Sequence, residues 1–285
     1  MSARRTREKY LGMRPGDLNG KPYAPFWKPD MAPMPEEVLD ALARGEEASE
    51  LALSLGDADK LLEPGYLSLE NGYARLPNGQ RYVAVRTEFP NSTGAMFEWW
   101  MGWHYMEDQR YKLWHPRAHI ANGTLEMRGD DAQASNREKY MTTHYVTEYI
   151  GARRGDICIS FCDPRVLFGA NADLCRGGTS AVVCGRVALQ KVPISFGWLV
   201  HQLRETSYGC EMRSRFWLGR AMVTGSREQD PRNWLLRTRL FERFTMPATL
   251  GRDMLTHCAM EMNHLASFLP ELYALYHGDK HSKAT

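Results

Sequence analysis

The sequence predicts an α+β fold: an antiparallel sheet wrapped round a long C-terminal helix, with a cavity between them and a small, mainly helical N-terminal segment in front. Three observations lead there. RYVAVRTEF (81–89) alternates like a strand, and GDICISFC, SAVVCGRVAL, GWLVHQLRET and GCEMRSRFWLG further along are β-rich. The chain closes on TLGRDMLTHCAMEMNHLASFLPELY (249–273), a run with helical periodicity. Between the first strand and the rest lies TGAMFEWWMGWHYM, an aromatic run of helical length.

In chain order, residues 1–34 are rich in proline, methionine and aromatics (PYAPFWKPDMAPM) and read as an extended segment packed on something. Pro35 opens a helix, PEEVLDALAR, with acids in its first turn and Gly45 as its stop. A second short helix is expected around Asp57–Leu62, ended by Pro64-Gly65. LENGYARLPNGQ carries Asn-Gly twice, a turn signal, so the division is placed there: 1–79 as the N-terminal segment, 80–285 as the main domain. AHIANGTLEMRG reads as a strand and turn, and SAVVCGRVAL is continuous enough to be a buried strand.

The 285 residues are 43% hydrophobic and 25% charged, ordinary for a globular protein, and the net charge of +2 gives no reason to expect a nucleic-acid or membrane surface. MSARRTREKYLG lacks the apolar core of a secretory signal, and no stretch approaches 18 consecutive apolar residues. Cysteines at 158, 162, 175, 184, 210 and 258 form no CxxC pair; together these features predict reduced thiols in a cytoplasmic protein.

There is no GxSxG, GxGxxG, Walker loop or HExxH. What stands out is His257 and Glu261, four residues apart on the final helix and so on one face of it, with His264 a further turn along. Burying such a pair in an apolar helix is costly unless it is paired, solvated or metal-bound. The spacing alone fits a simple hydrogen-bonded pair as well; a metal site needs further ligands from elsewhere. His115, His119, His144, Glu148 and His201 are the candidates, each of which taken alone reads as a core residue bonded to backbone.

RYKLWHPRAHIAN, TEYIG, LVHQL, SRFWLG and HCAMEMNHLASFLPELY occur in one order, after KPYAPFW and LLEPGY. Together they resemble the 2,4-diacetylphloroglucinol hydrolase and phloretin hydrolase family, from about residue 20 to about residue 276. The resemblance implies a Bet v 1-like helix-grip catalytic domain and zinc-dependent cleavage of the carbon–carbon bond between an acyl group and a polyhydroxylated ring. It implies metal ligands at His119, Glu148, His257 and Glu261, and Tyr111 and Asn122 as holders of the phenolic hydroxyls. It puts His201 in the cavity, where His201 or Glu148 would move protons. Phe216 stands where the family has a tyrosine, so one hydroxyl contact to the ring is lost.

The expected ligand is a small acylphenol; Trp99, Trp100 and Trp103 read as cavity walls or equally as plain core, and the aromatic N-terminal segment as the surface of a homodimer. Two other readings compete. A non-catalytic carrier of phenolic or apolar ligands would have no need of the His/Glu set. An iron redox enzyme would use the same ligands.

Overall fold

The computed structural model describes residues 10–227, 229–236 and 246–278. The described strands form one nine-stranded sheet, in the order β1-β2-β3-β9-β8-β7-β6-β5-β4. They are β1 (Glu46–Glu47), β2 (Gly72–Arg75), β3 (Arg81–Pro90), β4 (His119–Ala121), β5 (Thr143–Ile150), β6 (Arg153–Cys162), β7 (Thr179–Leu189), β8 (Ile194–Thr206) and β9 (Gly209–Val223). Neighbours are antiparallel except β1 and β2. The α-helices among the described residues are α1 (Glu36–Arg44), α2 (Gly94–Trp103), α3 (Asp108–Trp114), α4 (Asn136–Tyr140), α5 (Arg165–Phe168), α6 (Arg232–Leu236), α7 (Leu250–Ala266) and α8 (Leu269–Tyr276). The sheet closes round α7, which packs on β2, β3 and β5. This is the α+β helix-grip arrangement the sequence leads one to expect.

The central strands are buried on both faces. Side chains of a strand alternate, so Val83, Val85, Val183, Leu199, Met212 and Phe216 face α7 and join its core cluster. Their neighbours Tyr82, Ala84, Val182, Val200 and Trp217 face the other way, where Leu53, Ala58, Leu61, Leu62 and Leu69 cover them. Residues 46–76 are therefore built into the sheet and its outer cover. The Asn71-Gly72 signal marks the start of β2, not a turn between domains, and Asn78-Gly79 turns β2 into β3, with Leu76 and Gln80 bonded across it. The boundary placed near residue 79 falls inside this hairpin.

Two local features differ from the sequence reading. The helix expected over 249–273 breaks: α7 ends at Ala266, Phe268 leaves helical dihedrals (φ −136°, ψ −11°) and α8 begins with Pro270 in its first turn. Proline has no N–H and its ring clashes with the carbonyl four residues back, so an unbroken helix cannot pass through it. The aromatic N-terminal segment also spends its rings internally. Tyr23 packs edge-on to Trp103, and Phe26 packs against Phe268 and Tyr276. These rings do not supply the dimer surface expected of them.

Two glycines set the grip. At Gly251 an added Cβ would stand 2.7 Å from the Tyr73 ring, so its absence lets the start of α7 approach β2. Gly151, at φ +60°, makes the two-residue turn between β5 and β6 against Asp253 of α7. The described cysteines are all free. No helix among the described residues is long and apolar enough to cross a membrane.

Candidate metal centre

His119 and Glu148 come together through strand register. The Trp114-His115-Pro116 sequence ends α3, because a residue before proline avoids helical dihedrals. The chain then turns, with the His119 N–H on the His115 carbonyl, and enters β4. There His119 lies directly opposite Glu148 of β5, and cross-strand partners share a face. A register shift follows at once between His119 and Ala121, and all three residues of β4 are buried. From the other side α7 brings His257 and Glu261, one turn apart on one face.

His119, His257 and Glu261 offer ligand atoms that all lie within 4.8 Å of one another. His119 Nε2 is 3.3 Å from a Glu261 oxygen and 3.5 Å from a Glu148 oxygen; His257 Nε2 is 3.7 and 3.9 Å from the same two groups. Donors about 2.1 Å from a common tetrahedral centre stand about 3.4 Å apart, so this spacing suits one small cation.

Protonation points the same way. His119 Nδ1–H donates to the Tyr111 carbonyl (2.9 Å), which leaves Nε2 as a lone pair. That lone pair is buried, has no hydrogen-bond partner and faces two carboxylates. Lone pair against carboxylate is repulsive unless a proton or a cation sits between. Burial lowers His119 to about 4, partly opposed by Glu148 and the Tyr111 carbonyl. Burial raises the Glu261 carboxyl to about 8; His257 pulls it back and Glu148 adds to the rise. Two neutral imidazoles and two carboxylates would balance a divalent ion.

Tyr111 stands behind these ligands. Its ring lies flat on the His119 ring (3.7 Å between centroids, 6°), and its hydroxyl donates to the Glu148 carboxylate. Tyr111 and Asn122 are not among the residues lining the cavity. The Asn122 backbone N–H donates to Asp108 (2.9 Å) and its amide to the His104 carbonyl (3.3 Å), which ties the end of β4 to the start of α3.

Glu148, His257, Glu261, His201 and Phe216 do line the cavity. His201 is buried, with Nδ1 2.8 Å from the hydroxyl of Ser214, its partner on β9, and Phe216 packs edge-on to it at 5.8 Å. Burial lowers His201 to about 3, so it is neutral near pH 7. Of the two readings of the tryptophans the core one holds: Trp99, Trp100 and Trp103 pack among Tyr23, Phe268, Tyr273 and Tyr276, and Met101 and Trp114 line the cavity instead. Apart from Glu98, α2 is apolar all round, so its periodicity gives little hint of which face turns inward.

His264 does not join the group. Its Nδ1 accepts from the Ala32 N–H (3.1 Å), fastening the N-terminal segment. His144 packs against Tyr105 and Phe161 as a core residue. His115 stacks on His257 (4.8 Å, 25°), a contact unreadable from sequence because it joins α7 to a loop about 140 residues away.

The chain is similar to several known proteins. A 2,4-diacetylphloroglucinol hydrolase of Pseudomonas sp is 34% identical over 268 residues, 90% of this chain and 88% of that one. The phloretin hydrolase of Eubacterium ramulus is 25% identical over 266 residues, 88% of this chain and 89% of its own. Among solved structures, Ara h 8.0201 matches at 10% identity with a TM-score of 0.38, over 68% of this chain and 99% of that one. Residues 52–274 match the family described as the DAPG hydrolase PhiG domain, and this chain therefore belongs to the 2,4-diacetylphloroglucinol hydrolase family.

Proposed function

We propose that this protein is a zinc-dependent hydrolase that cleaves the carbon–carbon bond between an acyl group and a polyhydroxylated aromatic ring, giving a carboxylic acid and the deacylated phenol. The observation that carries the metal is the buried His119 Nε2 lone pair facing Glu148 and Glu261 at the cavity wall. The names of the relatives supply the substrate class.

His119, Glu148, His257 and Glu261 would hold the ion. When bound, it supplies Lewis-acid polarisation of the acyl carbonyl and activates water for attack on it. Tyr111 acts through its neighbours: one residue orients His119 by its carbonyl and ring and Glu148 by its hydroxyl. Asn122 braces the strand that carries His119. His201 faces the ring, and its Nε2, the nitrogen Ser214 does not engage, exchanges a proton with the substrate. The balance closes with water alone, its hydroxyl going to the acyl carbon and a proton to the ring carbon. A carrier would have no need of four converging ligands, and oxygen has no part in this stoichiometry.

The test is twofold. Elemental analysis of purified protein is expected to find about one zinc per chain, and His257→Ala or Glu261→Ala to lose metal and activity while keeping the fold. Incubation with C-acylphloroglucinols is expected to release the free acid without nucleotide or oxygen. Active protein with no stoichiometric metal, or no acid from any acylphenol, overturns the proposal.

A further inference from the structure

The cavity extends well beyond the ligand group. It holds about 340 Å³ and follows one face of α7, where Leu250, Met254, His257 and Glu261 all line it. Leu250 lies three turns from Glu261, about 16 Å along the helix axis at 1.5 Å per residue. The polar side chains of the lining lie mostly on the α7, β5 and β6 side. Glu148, His257 and Glu261 form the ligand group; Asp253 follows one turn away along α7, and Arg153 and Arg154 lie beside it at the Gly151 turn, with His201 on β8. The rest of the wall is aliphatic and aromatic: Ile157, Val187, Leu189, Ile194, Phe196 and Leu218.

We infer that this corridor receives the acyl tail, and that the protein is matched to aryl ketones with an extended apolar acyl group, a chain of several carbons or an arylalkyl chain, rather than to acetylated rings. The inference rests on the hydrolase reading above. The carbonyl is bonded directly to the ring, so ring and tail leave the reacting carbon in opposite directions. Phenolic hydroxyls buried among isoleucine, valine and phenylalanine would lack hydrogen-bond partners, which is costly. The ring therefore takes the part of the cavity beside His201, and the tail takes the apolar wall. An acetyl group presents a single methyl there and leaves most of the wall uncovered. Each added methylene removes apolar surface from water, a gain of roughly threefold to fourfold until the corridor is filled.

The test measures kcat/KM by acid release for phloroglucinols acylated with acetyl, butanoyl, hexanoyl, octanoyl and 3-phenylpropanoyl groups. In parallel, calorimetry gives Kd for alkylphloroglucinols, in which a methylene replaces the carbonyl so that no cleavage occurs. A rise of at least about tenfold in kcat/KM from acetyl to the best longer chain is expected, with Kd falling along the alkyl series. Ala221→Phe, which narrows the corridor, is expected to move the optimum to shorter chains. Acetyl turned over as well as or better than the longer chains, with a flat Kd series, overturns the inference and leaves the hydrolase reading intact. Tighter binding with chain length but no cleavage of any acyl compound overturns the hydrolase reading and keeps the corridor.

Discussion

Tyr111 touches two of the candidate ligands through three different groups, its carbonyl, ring and hydroxyl. Tyr111→Phe keeps the carbonyl and the ring and removes only the hydroxyl bond to Glu148. Outer partners of metal ligands typically contribute tenfold to a hundredfold in affinity, so zinc affinity measured by chelator competition should fall by about that factor with circular dichroism unchanged. A variant with wild-type affinity would show that Glu148 needs no orientation. Phe216 offers the complementary test at the cavity wall. Phe216→Tyr should raise turnover of a substrate carrying a free ring hydroxyl near that position by up to about tenfold, the effect of one net hydrogen bond of roughly 1 kcal/mol. It should do little for the analogue lacking that hydroxyl; equal effects on both would mean that residue 216 does not face the ring.

At the scale of elements, the N-terminal segment is held to the outer face of the sheet by ions as well as by leucines. Glu70 meets Arg213 at 2.6 Å and Arg215 at 2.5 Å, both guanidiniums almost wholly buried on β9. Burial pushes the Glu70 carboxyl up, but Arg215, Arg213 and the Leu67 N–H outweigh it and hold the group at about 2, against an ordinary 4.5. A carboxyl depressed on folding contributes stability that is present above its unfolded value and is lost as pH falls through the folded one. The window is therefore pH 4.5 down to about 2, and the contribution about 3 kcal/mol. Glu70→Gln should be less stable at pH 7, by roughly 3–5 kcal/mol, because two buried cations lose their counter-charge. Its melting temperature should also fall less steeply than that of wild type across the window. Parallel pH curves for the two proteins in thermal melts would rule this out.

For the molecule as a whole, the candidate ligands come from β4, β5 and α7, so a bound ion ties the edge of the sheet to the helix it grips. A ligand that binds only the folded state adds about 2.7 kcal/mol at a hundred times its Kd. Treatment with a strong chelator should lower the melting temperature by several degrees, and added zinc should restore it. In Glu261→Gln, zinc should restore little. Recovery in that variant equal to wild type would place the stabilising ion elsewhere.

Much of this architecture is local and was readable from the chain. The strands alternate, α1 stops at Gly45, and the four-residue spacing of His257 and Glu261 places both on one face of α7 whatever surrounds it. RYKLWHPRAHIAN, TEYIG, LVHQL, SRFWLG and HCAMEMNHLASFLPELY, together with KPYAPFW and LLEPGY, point to the family from sequence. Other features depend on how elements meet, which periodicity within one element cannot report. Only the pairing of β4 with β5 sets His119 opposite Glu148. Only the packing of α3 behind β4 turns Tyr111 toward the ligands rather than the cavity. Apolar but for Glu98, α2 could have presented any of its tryptophans, and closure of the sheet chose Met101 for the wall. Helical and strand periods follow from backbone geometry over a few residues; register, depth and wall composition follow from contacts between residues far apart in sequence, and those are decided only when the sheet closes on its helix.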